Sequence, residues 1–243
     1  MRIMRIMRIM RIMRHPSTLP PADVQKGRRV DYLRLMGDQG SDSYLDPYRE
    51  AVGRHGPGFG ATLWGSREAQ VLRFDMMIDL AGFESCVVLD AGCGEGDFAA
   101  RLLERRVPFE RFVGVDAVAE MIESARQRDL PRCVFEVRDV VADPAVLSTA
   151  GPDYVCISGT LNTMDEPVAR RLVAGAFEAA AQGVVFNFLS NRAHPRWARR
   201  DIGPARRFDT ASWLDWAMTL TSRVEFTQSY MDGHDATIMI RRD

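Results

Sequence analysis

Val87-Val88-Leu89-Asp90-Ala91-Gly92-Cys93-Gly94-Glu95-Gly96-Asp97-Phe98 is the stretch whose reading decides the fold. An apolar run of strand character ends in an acid and breaks into glycines at three alternate positions. It resumes at helix spacing, with Phe98 and Leu102 four apart and Ala99 and Leu103 four apart. A strand, glycine loop and helix in this order bring backbone N–H groups and a helix N-terminus up to a bound ligand, because glycine has no side chain to block the approach. A ligand-free turn needs neither three glycines nor the flanking acid. A dinucleotide fingerprint reads G-x-G-x-x-G, whereas Gly92, Gly94 and Gly96 read G-x-G-x-G, and Asp97 stands three residues after Gly94.

Length and composition frame this unit. A chain of 243 residues can bury a full core and is read as an N-terminal extension over residues 1–43 followed by a domain over residues 44–243. Residues 1–14 repeat Met-Arg-Ile four times and add Met13-Arg14. A period of three matches neither helix nor strand, so this low-complexity segment is read as disordered, the alternative being a basic tail on an anionic membrane. It carries arginines and no acid, so the rest of the chain is more acidic than the formal net charge of −1. A mildly acidic body argues against a polyanion binder, and no apolar run reaches membrane-spanning length. The cysteines Cys86, Cys93, Cys133 and Cys156 lack C-x-x-C spacing and read as small apolar residues in a reducing cytoplasm, with no metal site expected.

Asp90-Ala91-Gly92-Cys93-Gly94-Glu95-Gly96 resembles motif I of the class I S-adenosylmethionine (AdoMet)-dependent methyltransferases, and later landmarks extend the resemblance over residues 64–243. It implies AdoMet as cofactor, S-adenosylhomocysteine as product, and a Rossmann-like α/β fold. That fold has a seven-stranded sheet of order 3-2-1-4-5-7-6, strand seven antiparallel, with helices on both faces. The chain itself reads the same way: strands at Arg111–Asp116, Cys133–Val137, Tyr154–Ser158 and Val184–Leu189 alternate with helices at Ala117–Arg128 and Pro167–Gln182, and a closing hairpin follows.

The resemblance assigns residues. Asp116, at the tip of strand two and followed by Ala117, matches the acid that accepts hydrogen bonds from a ribose diol. Asp139 and Val140 match the adenine-edge pair, Met121 lies against adenine or in the core, and Ser158-Gly159 opens motif IV. Trp64-Gly65-Ser66-Arg67-Glu68-Ala69-Gln70-Val71-Leu72-Arg73-Phe74 resembles the helix preceding motif I in small-molecule methyltransferases. Ser66 can cap it and Gly82 close it, and Ala69, Leu72, Met76 and Leu80 form the expected inward stripe. Arg73, at the margin of that stripe, is expected to hold the AdoMet carboxylate or else to be a solvated charge. Tyr44–Gly60 is too irregular for a core element and suits a lid or a surface loop of segment 44–82.

Ligands of such sheets sit beyond the C-terminal strand ends, which places the methyl acceptor near Tyr48, Trp64, Asn162, Asn191 and His194. His234 is the candidate general base, since imidazole titrates near neutral pH; the rival is a turn residue bonded to Asp232 or Asp235. The reading is methyl transfer to oxygen or nitrogen of a small acid, amine or phenol, in a cytoplasmic monomer or homodimer without nucleic acid or membrane as partner. The alternatives are a non-catalytic AdoMet-binding partner protein, an aminopropyltransferase distinguished by Arg73, and an NAD-linked oxidoreductase disfavoured by Asp97.

Overall fold

The computed structural model describes residues 42–242; the expectations for residues 1–41 lie outside it. Seven strands form one sheet of order β3-β2-β1-β4-β5-β7-β6. They run β1 Val87–Ala91, β2 Arg111–Asp116, β3 Cys133–Val137, β4 Tyr154–Ile157, β5 Gly183–Leu189, β6 Val224–Thr227 and β7 Asp235–Arg241. β7 pairs antiparallel with both β5 and β6, and the other pairings are parallel. The sheet order and the reversed last strand are those of the class I methyltransferase fold.

Period-two alternation divides the core between two faces. On one, Leu89, Ala91, Val155, Ile157 and Phe186 meet Leu172, Val173 and Ala176 of one helix and Trp213 of another. On the other, Val88, Cys156 and Val185 meet Phe74, Met77, Phe98, Leu102 and Ile122. The helices are α1 Asp46–His55, α2 Arg67–Ala81, α3 Asp97–Glu104, α4 Ala119–Gln127, α5 Val146–Thr149, α6 Glu166–Ala179, α7 Pro195–Ala198 and α8 Thr210–Ala217. Among the described residues, no helix is long and apolar enough to cross a membrane.

Two local expectations need correction. Segment Tyr44–Gly60 contains a ten-residue helix, α1, with Pro47 in its first turn and Gly56 (φ 70°) closing it. Its Ala51 packs with Ala61, Val118 and Met121, so Met121 belongs to a small core cluster. Glycine and aromatic content hid the helix. The inward face of α2 is Gln70, Arg73, Phe74, Met77, Ile78 and Ala81, while Ala69, Leu72, Met76 and Leu80 are only half-buried. Polar Gln70 and Arg73 occupy the buried side because both have partners there, and this displaced the apolar stripe. The cap was legible: Ser66 Oγ accepts from Ala69 N at 3.2 Å, and Gly82 ends the helix at φ 68°.

The antiparallel register has a functional consequence. Asp235 at the start of β7 faces Leu189 at the end of β5, so the turn before β7 reaches the edge where the parallel strands end. The glycine loop is fixed there by sterics. Gly92, Gly94 and Gly96 have φ of 82°, 51° and 75°, and a Cβ on Gly96 would lie 2.7 Å from the Phe135 ring. Gly96→Ala therefore combines left-handed strain with a core clash. The expected cost is about 1–3 kcal/mol, read as a lower urea midpoint at unchanged slope; an unchanged midpoint would mean that the loop and Phe135 can part freely.

Candidate active site

Two adjoining cavities open at the C-terminal edge of the sheet. One lies over the glycine loop and is lined by Asp90, Gly92, Cys93 and Gly94, by Asp116, Ala117 and Met121, and by Val140, Ser158 and Gly159. The other, about 400 Å³, lies over β4, β5 and β7 between α2 and the segment carrying α7. Tyr48, Thr62, Trp64 and Gly159 line both. These four mark the passage between the cavities.

The loop cavity is built from backbone and acids. Asp116 accepts from Gly94 N and Val118 N, each at 2.9 Å, which pins the tip of β2 to the loop. A carboxylate has about four lone-pair sites, so acceptor capacity remains for a hydroxyl pair. Asp90 is buried, and its Oδ1 has no partner. Burial, with the neighbouring Asp116 charge, pushes its carboxyl up to about 8. Above Gly92 sits the Thr160 hydroxyl, which donates to Ala91 O at 3.2 Å; a Cβ on Gly92 would strike Thr160.

Of the residues expected here, Ala91, Gly96, Asp139 and Arg73 do not line this cavity. Ala91 and Gly96 support the loop from behind. Asp139 Oδ1 accepts from the Tyr44 hydroxyl at 2.6 Å and from Val141 N and Ala142 N, so the entering segment covers it. Arg73 is the substantive correction. Its Nε and Nη2 donate to the two carboxylate oxygens of Asp235 at 2.5 and 2.8 Å, with both side chains buried. Its guanidinium lies 4.5 Å from the centre of the Trp64 ring and lines the second cavity. From α2, Gln70 and Phe74 reach the loop cavity instead, and Gln70 Nε2 donates to Asp97 at 3.0 Å. Arg73 therefore faces Asp235 and the second cavity rather than the loop cavity.

Of the residues expected at the acceptor or as base, Tyr48, Trp64, Asn162 and His234 line the second cavity. Asn162 is buried and donates through Nδ2 to Arg206 O at 2.9 Å. Asn191 and His194 are exposed and line neither cavity. Asn191 donates to Asp209 at 2.8 Å, and His194 caps α7 by accepting from Arg196 N. Both are spent on shaping the loop. His234 bonds to neither Asp232 nor Asp235: its Nδ1 lies 3.1 Å from Arg207 Nη2, and its ring stacks on Trp197. Sequence reasoning missed Asn187, whose Oδ1 accepts from Gly159 N at 3.1 Å and whose Nδ2 donates to Ser158 Oγ at 2.9 Å. An amide inside the otherwise apolar β5 was the available signal. Trp197 and Arg200 were missed as well, because an arginine-rich insertion shows no periodicity.

With this geometry in hand, three kinds of comparison agree. A family model described as a methyltransferase domain matches residues 83–184. Over that stretch, which holds the glycine loop and β1 to β4, the chain is similar to methyltransferase domains. It is 32% identical over 114 residues to the trans-aconitate 2-methyltransferase of Variovorax paradoxus, a match covering 46% of this chain and 42% of that one. A second trans-aconitate 2-methyltransferase, from an Azoarcus species, is 52% identical over 59 residues, covering 24% of this chain and 22% of its own. These matches span less than half the length of either curated relative. An O-methyltransferase family protein from Burkholderia thailandensis has the same fold, with a TM-score of 0.61 and 16% identity over 90% of this chain and 70% of that one.

The Arg73–Asp235 pair yields a stability prediction for this methyltransferase fold. Arg73→Met leaves a buried carboxylate without its counter-charge and is expected to cost about 3–5 kcal/mol. Adding Asp235→Leu should recover much of that loss. Denaturant titration of the single and double variants checks both, and additive losses would mean that the pair is not coupled.

Proposed function

We propose that this chain is an enzyme that transfers a methyl group from AdoMet to a small organic acid. The observation that carries the reading is the pair of cavities sharing Tyr48, Thr62, Trp64 and Gly159, one built on the glycine loop and the other roomy enough for a second small molecule. A non-catalytic AdoMet binder has no need of the second cavity.

The residues of the loop cavity fit the cofactor. Asp90 offers an orphaned, buried carboxyl oxygen suited to an ammonium group, Asp116 offers free acceptor capacity to a ribose diol, and the glycines admit close approach. AdoMet supplies a methyl group on a sulfonium that carries its own leaving group, so the protein's work is to position two partners and exclude water. Trp64 closes the passage from one side: a Cβ on Gly159 would lie 2.7 Å from its ring, so the two are in tight contact. The Tyr48 hydroxyl donates to Gly159 O at 3.3 Å, and burial pushes it up to about 12, which keeps it a donor at neutral pH.

The acidic acceptor is supported by the relatives named for trans-aconitate methylation and by charge. Arg200 and Arg207, beside the second cavity, form no direct ion pair with a carboxylate among the described residues. Amines and phenols find no comparable counter-charge there.

Three outcomes follow. AdoMet and S-adenosylhomocysteine are expected to raise the melting temperature while NAD does not, as mass action requires of a native-state ligand; equal shifts with NAD would end the assignment. Asp116→Ala should weaken AdoMet by about 1.5–3 kcal/mol, the size of lost hydrogen bonds to a charged group, and calorimetry on a folded variant checks it. Asp90 is mostly protonated at pH 7 in the free protein, and a cofactor ammonium beside it favours the ionised form. AdoMet binding should therefore release a proton at pH 7 and tighten as pH rises toward 8, then level off. Methylthioadenosine lacks the ammonium and should show neither effect in calorimetry across buffers of different ionisation enthalpy.

A further inference from the structure

The end of the acceptor cavity formed by Trp197, Arg200 and His234 carries chemistry that methyl transfer alone leaves unassigned. The His234 ring lies 4.4 Å from the Trp197 ring at 19°, a stacked arrangement, and the Arg200 guanidinium lies 4.3 Å from the centre of the same indole. His234 Nδ1 is 3.1 Å from Arg207 Nη2. A guanidinium has donors and no acceptor, so Nδ1 must be the bare nitrogen, and the ring carries its proton on Nε2. Arg207 is itself held in place, donating to Ser190 O at 2.9 Å and Trp197 O at 2.8 Å. It forms no direct ion pair among the described residues, and the carboxylate whose charge it feels, Asp235, is already bonded to Arg73.

His234 is buried on its protein side, yet Nε2 has no protein partner and is not sealed from solvent. His234 lines the cavity, and with Nδ1 turned to Arg207 the Nε2–H is the ring nitrogen left for a ligand there. The charges around it agree. Arg207 lies behind the ring, Arg73 approaches from α2, and Arg200 flanks it. Asp235 is committed to Arg73, and Asp232 pairs with Arg196. Burial first, then these arginines, holds the imidazole down to about 4.

We propose that His234 binds the methyl acceptor as a neutral hydrogen-bond donor, its Nε2–H reaching an acceptor oxygen beside Arg200, and that it is not a general base. Arg207 is the positioning residue that fixes the tautomer. The proposal rests on the acceptor-cavity reading above, and it adds a selection rule. With Nδ1 occupied and Nε2 already protonated, the ring has no site for an incoming proton, so the nucleophile must arrive deprotonated. A carboxylate meets that condition near neutral pH, whereas a phenol does not. For a carboxylate, one oxygen forms the new bond to the methyl carbon, the sulfur–carbon bond breaks with its electron pair on sulfur, and no proton moves.

Long-range proton–nitrogen correlation spectra of the full chain, labelled with 15N-histidine, test this between pH 5.5 and 8.5. His234 is identified by its absence in His234→Gln, or by elimination using variants of His15, His55 and His194. The expected spectrum shows Nε2 protonated and Nδ1 bare, unchanged across the range. A midpoint between pH 6 and 7.5, or the proton on Nδ1, would overturn the proposal. Trans-aconitate is then added to protein loaded with S-adenosylhomocysteine. A shift of the His234 Nε2–H resonance supports the donor role, and binding that moves other resonances but not this one overturns it. If turnover with trans-aconitate is found, His234→Gln, which keeps a donor, should hold KM within a few-fold. His234→Leu should raise KM about tenfold without changing the shape of the pH profile; a basic limb lost with kcat would reinstate the base. Failure of trans-aconitate to bind counts against the organic-acid reading, and the tautomer spectrum still decides His234.

Discussion

The active-site edge of this molecule hangs on one buried ion pair. Arg73 reaches from α2 to the first residue of β7, and its fork meets both oxygens of Asp235. Removing two charges from water costs several kcal/mol per ion, and only close, bidentate geometry offsets that. From this pair a chain of contacts runs across the site. The Arg73 guanidinium carries Trp64 on its face, Trp64 stands against Gly159, and Gly159 N donates to Asn187 of β5. β5 pairs with β7, and so the chain closes into a ring. The passage between the two cavities lies inside it.

That ring explains why the fold was legible in the sequence and much of the acceptor side was not. Motif I could be read because each of its features has a local cause: a strand, three positive φ angles, a helix start. Asp116 could be read because a strand tip and a count of residues locate it. Arg73 was placed on the correct helix, but the purely apolar stripe assigned it to the margin. Its partner is 162 residues away, and no local pattern signals a cation whose burial depends on a distant strand. His234 was placed at the correct edge by the closing hairpin, yet its partner Arg207 lies in an insertion without periodicity. His194 and Asn191 sat at the correct strand end and were captured by loop geometry instead. Contacts between distant segments decide such residues, and contacts of that kind leave no periodicity to read.

The two cavities also differ in charge, and the difference bears on the direction of chemistry. Asp90, Glu95, Asp97 and Asp116 line the loop cavity, with Arg138 as its one lining cation. Such walls favour a ligand that is positively charged at its ammonium and sulfonium. In the acceptor cavity Arg73 and Asp235 cancel each other. Arg207 sits behind His234 without a direct ion pair, and Arg200 lines the cavity together with the exposed Asp201. On the proposed reading that side receives an anion. Binding a cation and an anion in adjoining, partly enclosed cavities strengthens their attraction, because the effective dielectric there is below that of water. Methyl transfer between them cancels charge as the bond forms, so a site with little water disfavours the separated reactants more than the transition state. On this account the acid walls, the held imidazole and the ion pair beneath Trp64 serve one end. They hold the two opposite charges on either side of the passage lined by Tyr48, Thr62, Trp64 and Gly159.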